Sequence, residues 1–271
     1  MYSPGEVAKN YVEIGASKTK LKIGKMFVLA VLAGMFIGLA GVGASCAAVS
    51  IESASVGKFV GSCIFPAGLA MVLVAGSELF TGNCLIIIPV LEKKASIFGM
   101  VRNLAVVYLG NLAGGLIVSA LIVYSGTLSL FSGYFAVSAV NTAVSKCTMS
   151  FTSALLKGIL CNFLVCIAVW MSFTAKDTAG KIIGLFFPIM LFVLCGFEHC
   201  VANMYYIPAG IMALSTPAYA SSKIYALLKI DTSGLTWTAF FVRNLIPVTI
   251  GNLIGGFAVG TAYWYAYLRN K

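Results

Sequence analysis

Two glutamates and one histidine are the side chains of this sequence that could move a proton or stabilise an ion within an apolar setting. Glu78 and Glu198 lie deep in apolar stretches, inside the runs Gly76-Ser77-Glu78-Leu79-Phe80-Thr81-Gly82-Asn83 and Gly196-Phe197-Glu198-His199-Cys200-Val201-Ala202-Asn203. His199 is the only histidine. An ionised acid at the centre of a bilayer costs roughly 3 kcal/mol even on a lenient insertion scale, so each needs a reason to be there. For Glu78 and Glu198 that reason is structural: beside an interrupted helix they can accept the freed backbone amides, and with Asn83 and Asn203 they support equivalent interruptions. His199 differs, because its counterpart is Leu79. A group required by both interruptions should occur twice; one that occurs once is assigned to function, and imidazole protonates reversibly near neutral pH.

Enzyme chemistry finds little support. His199 and Glu198 could act as base and acid, but they lack a nucleophilic partner, and one histidine with scattered cysteines cannot build a usual zinc site. No catalytic residue, metal or cofactor is expected. The eight cysteines lie mostly inside apolar runs without a Cys-x-x-Cys pair and read as small hydrophobes.

The elements that must hold these residues follow from composition: 60% of the chain is apolar and 10% charged. A soluble domain carries about a quarter charged residues, so the solvent here is lipid. Apolar segments fall at about 26–48, 59–91, 102–124, 156–173, 182–214 and 240–268, with ends blurred as usual. The second and fifth are each about 33 residues, roughly 50 Å as one helix against a hydrocarbon core of about 30 Å, and both carry a polar cluster near the middle. Each is expected to be broken, with unwound backbone facing protein or a wet cavity. The lysine-rich first 25 residues precede an apolar segment too long for a signal peptide and read as leading into a retained span. Ser3-Pro4-Gly5-Glu6 has capping-box spacing, and Val7, Tyr11 and Ile14 share a face, predicting a short helix on the membrane surface or under the pore mouth.

Twelve of the eighteen Lys and Arg residues lie at the termini and in the 2–3 and 4–5 loops; six, Lys58, Lys146, Lys157, Lys223, Lys229 and Arg243, lie in the other connections. Both termini are therefore expected on the cytoplasmic side of the cytoplasmic membrane. The net charge of +10 follows this flanking pattern and does not indicate a nucleic-acid partner.

The chain repeats itself. Phe65-Pro66 answers Phe187-Pro188; Gly76, Glu78 and Asn83 answer Gly196, Glu198 and Asn203. Arg102-Asn103-Leu104 and Gly110-Asn111-Leu112 answer Arg243-Asn244-Leu245 and Gly251-Asn252-Leu253. Three spans per half is an odd number, so the second half is inverted, and paired broken helices in an inverted repeat mark a midplane site. The expected fold is all-α and integral to the membrane: a single membrane domain over 1–271, with an N-terminal helix in 1–25, a first repeat over 26–124, an outer connection over 125–155 and a second repeat over 156–271. Gly110/Gly114 and Gly251/Gly255 have the spacing of close helix packing. Half-helices after each break would point N–H groups at the centre and favour an anion, and Lys146 could add attraction if it lines a vestibule.

Phe65-Pro66-Ala67-Gly68, Glu78-Leu79-Phe80-Thr81-Gly82-Asn83, Gly196-Phe197-Glu198-His199 with Ala202-Asn203-Met204, and Asn244-Leu245-Ile246-Pro247-Val248-Thr249-Ile250-Gly251-Asn252 resemble the formate/nitrite transporter family from end to end. Within it the overall likeness is greatest to the hydrosulfide-channel subtype. The resemblance implies an aquaporin-like protomer in a homopentamer with one pore per subunit. It places Phe65 and Phe192 at an outer constriction and Leu69, Leu79 and Phe80 at an inner one. Thr81 would face His199, with Asn162, Val165 and Asn252 lining the pore nearby, and Lys146 would be the anion-attracting lysine. The expected cargo is a small monovalent anion, hydrosulfide first, with formate or nitrite, passive or proton-coupled, as the alternative within the family. A membrane-embedded enzyme and an ammonium channel are rivals outside it.

Overall fold

The computed structural model describes residues 1–222 and 230–269, so Lys223, Lys229 and Lys271 of the charge count lie outside the described residues. Among the described residues the secondary structure is helical throughout. The first helix, α1 (Pro4–Thr19), opens with the capping box that its spacing predicts: the Ser3 hydroxyl accepts from the Glu6 amide, and the Ser3 N–H donates to Glu6 Oε2 at 2.7 Å. That backbone donor holds the exposed Glu6 carboxyl below the usual carboxylate range. Val7, Ala8, Tyr11 and Val12 are buried against protein, so α1 is tucked under the bundle and does not lie flat on lipid.

Helix α2 (Ile23–Ala48) crosses first. Next come α3 (Ala54–Ile64) and α4 (Pro66–Val74), end to end, after which the chain unwinds at Gly76, whose φ is +83°. It resumes as α5 (Phe80–Asn83), a 3-10 turn over Cys84–Ile86, and α6 (Ile87–Leu91), where Pro89 meets Gly15 of α1. Helix α7 (Ile97–Tyr124) completes the first half. A tight turn over Thr127–Gly133 leads into α8 (Tyr134–Cys147), so the expected outer connection holds a helix of its own. The second half runs α9 (Phe151–Thr174), α10 (Thr178–Leu194), a second unwound point at Gly196 with φ +67°, and α11 (Cys200–Ala213). Two short helices, α12 (Pro217–Ala220) and α13 (Trp237–Ala239), precede a wide π turn over Phe240–Leu245 and α14 (Ile246–Tyr267).

Among the described residues, six stretches are long and apolar enough to cross a membrane: α2, Ala54–Val74, α7, Thr127–Cys147, α9 and Trp237–Tyr267. Thr127–Cys147 qualifies by composition, yet its backbone is extended at Leu130 and left-handed at Phe131 and Ser132, and α8 packs along α11. Helices α10 and α11, at 17 and 14 residues, make a crossing only together. The two expected broken segments are thus both present.

Glycines set the helix spacing. A Cβ on Gly114 would run into the backbone of Val31 in α2, and one on Gly251 or Gly255 into the carbonyls of Leu155 and Ile159 in α9. The α2–α7 and α9–α14 pairs therefore meet backbone to backbone, as small-residue seams do in lipid. Gly24, by contrast, has open space where a methyl group would stand. Gly255→Ala should lower stability by about 1–3 kcal/mol through forced separation of α9 and α14, whereas Gly24→Ala should leave it unchanged. Thermal unfolding of the purified variants in detergent reads the difference, and equal melting temperatures would contradict the close seam.

Candidate functional site

Each interruption frees backbone groups that lipid cannot satisfy. In the first, the Phe80 N–H donates to Asn111 Oδ1 at 2.9 Å, and Asn111 Nδ2 donates to the carbonyls of Glu78 at 3.0 Å and Ala30 at 2.7 Å. In the second, the Cys200 N–H donates to Asn252 Oδ1 at 2.9 Å, and Asn252 Nδ2 donates to the carbonyls of Glu198 at 2.9 Å and Gly158 at 2.8 Å. This corrects the expectation that Glu78 and Glu198 accept the freed amides. A carboxylate only accepts, whereas one carboxamide both accepts the orphan N–H and donates to the orphan C=O. Asn111 is visible in the repeat as the partner of Asn252, and that pairing is the sequence signal for its role.

The two acids bond sideways instead. Glu78 accepts from Asn83 at 2.6 Å and pairs with Lys18 of α1 at 2.7 Å, while Asn83 also donates to Asn103. Glu198 accepts from Asn203 at 2.7 Å and pairs with Lys146 of α8 at 2.8 Å, while Asn203 also donates to Asn244. Both carboxylates are buried, at 8% and 5% side-chain exposure, so each charge has one ammonium and at least one amide beside it. Sequence reasoning misses Lys18, because nothing local to it indicates a partner sixty residues away.

His199 joins the two halves. Its Nδ1 accepts the Ala202 N–H at 3.0 Å and so caps α11, and its Nε2 lies 2.9 Å from Thr81 Oγ1 in the first interruption. A nitrogen that accepts an N–H carries no proton, so the hydrogen of the neutral ring is on Nε2 and points to Thr81. The Phe192 ring stacks on the imidazole at 5.8 Å between centroids, and Phe65 meets Phe192 edge-on at 5.6 Å. Leu69, Leu79, Phe80 and Val165 are all buried, and Phe80 packs edge-on against Tyr108 at 4.9 Å. Asn162 donates to the Asn252 carbonyl at 2.6 Å, and its Oδ1 lies 3.7 Å from the Cys166 thiol. Asn252, expected at the pore wall, thus has its Oδ1 and both N–H groups engaged within the protein, while Asn162, expected there too, uses one of its two N–H groups this way. Of the first-turn amides after the breaks, those of Thr81 and Gly82 have no acceptor among the described residues.

On the side opposite α1, a cavity of about 900 Å³ reaches from the α2–α3 turn down to Phe65, Phe192 and His199. Lys146 lines it, as expected, but its charge faces Glu198. Among the described residues no three His, Cys, Asp or Glu side chains could hold a metal ion.

The sequence pattern of the family described as "Formate/nitrite transporter" matches residues 5–265. The chain belongs to the formate/nitrite transporter family. It is 36% identical to the "Formate channel FocA" of Escherichia coli (strain K12) over 274 residues, covering 99% of this chain and 95% of that one. It is 37% identical to the "Probable formate transporter" of Methanothermobacter thermautotrophicus, covering 98% and 97%. Among solved structures, a "Pentameric formate channel with formate bound" superposes with TM-score 0.79 at 34% identity, covering 91% of this chain and 98% of that one. An "FNT family ion channel" gives 0.82 at 27% identity, covering 96% and 98%. The family is one of membrane transporters and not of enzymes, and this member is a multi-pass membrane protein.

Removing one partner of a buried ion pair strands the other. Lys146→Gln should cost about 3–5 kcal/mol, and the charge-balanced double variant Lys146→Gln/Glu198→Gln should recover most of it. Thermal unfolding decides the matter: a single variant as stable as the parent would show that Glu198 does not need this ammonium.

Proposed function

We propose that this chain forms a pore for a small monovalent anion, with the neutral His199 as the hydrogen-bond donor at its centre. The observation that carries this reading is the position of the imidazole: stacked on Phe192, which meets Phe65 edge-on, and facing Thr81, with its proton fixed on Nε2 by the cap on Nδ1. The cap leaves no nitrogen open to a second proton unless the Ala202 N–H is released. His199 then helps an anion by sharing its Nε2–H between the anion and Thr81 Oγ1, with the Thr81 hydroxyl donating alongside, and need not hand over a proton. Phe65 and Phe192 act as an outer apolar ring, and Leu69, Leu79 and Phe80 as an inner one, that strip water. An anion pays for that loss of hydration unless donors replace it. Unpaired amides of Thr81 and Gly82 at a helix start add to the replacement.

Formate is the substrate that the names of the relatives support. Hydrosulfide rests on the overall likeness of the sequence to the hydrosulfide-channel subtype, and flux under one gradient ranks the two. Five copies, one pore each, with both termini cytoplasmic and the 900 Å³ cavity opening outward, complete the proposal.

Flux into proteoliposomes under one gradient, comparing formate, nitrite, hydrosulfide and chloride, tests it. Fast passage of at least one of the first three, with chloride slower, is expected; equal leakage of all four, or none, would overturn the reading. His199→Asn should assemble normally, because asparagine is itself a strong N-cap residue. It should nonetheless change ion selectivity or the pH dependence of flux, and an unchanged profile would remove the histidine from the mechanism.

A further inference from the structure

The cavity opposite α1 is lined by three lysines, Lys58, Lys146 and Lys157, and by one carboxylate, Glu198. Lys146 and Glu198 neutralise one another at 2.8 Å. Neither Lys58 nor Lys157 has a carboxylate within ion-pair distance among the described residues, where Lys18–Glu78 and Lys146–Glu198 are the ion pairs found. The cavity thus carries two uncompensated ammonium groups, and neither belongs to the residue that the family resemblance singled out.

Both groups sit where an anion must pass. Lys58 lies on α3 seven residues before Phe65, two helical turns along the same face, or roughly 10 Å above the ring. Its Nζ stands 3.9 Å from the position a Cβ on Gly196 would take, so it hangs over the second interruption. Lys157 is anchored at that interruption from the other side, because its carbonyl accepts the Glu198 N–H at 3.3 Å. In the first half the same bond, from the Glu78 N–H at 3.3 Å, goes to the carbonyl of Leu29. The interruption therefore needs a carbonyl there and not a cation: the charge of Lys157 is additional to the shared fold. Lys58 is exposed and Lys157 half-buried, so both remain reachable from water.

We propose that Lys58 and Lys157 form an anion-capture site at the head of the pore, separate from the structural Lys146–Glu198 pair. It rests on the reading of the chain as a small-anion pore. The site concentrates monovalent anions above Phe65 and Phe192, as clustered like charges in a low-dielectric cleft do. A small divalent oxyanion gains more from two ammonium groups, yet loses far more hydration at an apolar ring. Sulfate should accordingly occupy the site without crossing and compete with the permeant ion.

The test uses the full-length protein in liposomes, with formate, nitrite and hydrosulfide each offered at low ionic strength, with and without sulfate. In Lys58→Gln/Lys157→Gln the half-saturating concentration should rise about 5- to 10-fold, sulfate inhibition should disappear, and the difference should shrink at high salt as the charges are screened. Lys58→Arg/Lys157→Arg, which keeps both charges, should restore parental values. Should the double Gln variant misassemble, the single variants carry the test, each expected to raise half-saturation about two- to threefold. Unchanged half-saturation together with unchanged sulfate inhibition would overturn the site. Parental protein that passes none of the three anions would instead overturn the pore reading itself.

Discussion

Two helices are interrupted where no water is available to take up the freed backbone groups, and pairing those groups governs much of what surrounds them. Asn111 and Asn252 each answer an interruption with a single carboxamide, accepting one N–H and donating to two carbonyls. To reach, they must come from a neighbouring helix held very close. That closeness is what Gly114 provides against α2 and Gly251 and Gly255 provide against α9. The glycine seams and the asparagine repairs are therefore one device, repeated in each half.

Departures from the repeat mark where the halves take different tasks. Both interruptions have a buried Glu–Asn–Asn cluster and a lysine from a flanking helix, Lys18 in one and Lys146 in the other. The first interruption has Leu79 where the second has His199. One imidazole bridges the two: it caps its own half-helix through Nδ1 and meets Thr81 of the other through Nε2. The same bond that completes the fold of α11 thus fixes which nitrogen faces Thr81. Under the proposed reading, structure and function share this single side chain.

Much of this is legible in the sequence, for definite reasons. Polar clusters in overlong apolar runs give away the broken helices, Ser3-Pro4-Gly5-Glu6 gives away the first cap, and Gly110-Asn111 against Gly251-Asn252 gives away the repeat. What stays hidden depends on contacts across the fold. The amide of Phe80 finds an acceptor 31 residues away, and the carboxylate of Glu78 finds an ammonium 60 residues away, and neither distance leaves a local pattern. Helix α8 leaves a weak trace because its apolar face is interrupted by polar residues that look onto the cavity, which dilutes the signal of a span. Lys146 does line that cavity, as its sequence position suggests, but a lysine's location says nothing about whether a carboxylate already holds its charge.

The proposed pore requires a neutral His199, with its proton on Nε2, at the pH where it works. The chain has one histidine, so nitrogen-15 labelling of that residue type reports on it alone. Solid-state nuclear magnetic resonance of the labelled protein in lipid at neutral pH should show one protonated and one bare ring nitrogen, with the bare one, Nδ1, coupled to the Ala202 amide. Two protonated nitrogens at neutral pH, the signature of imidazolium, would contradict the account and return proton transfer to the centre of the mechanism.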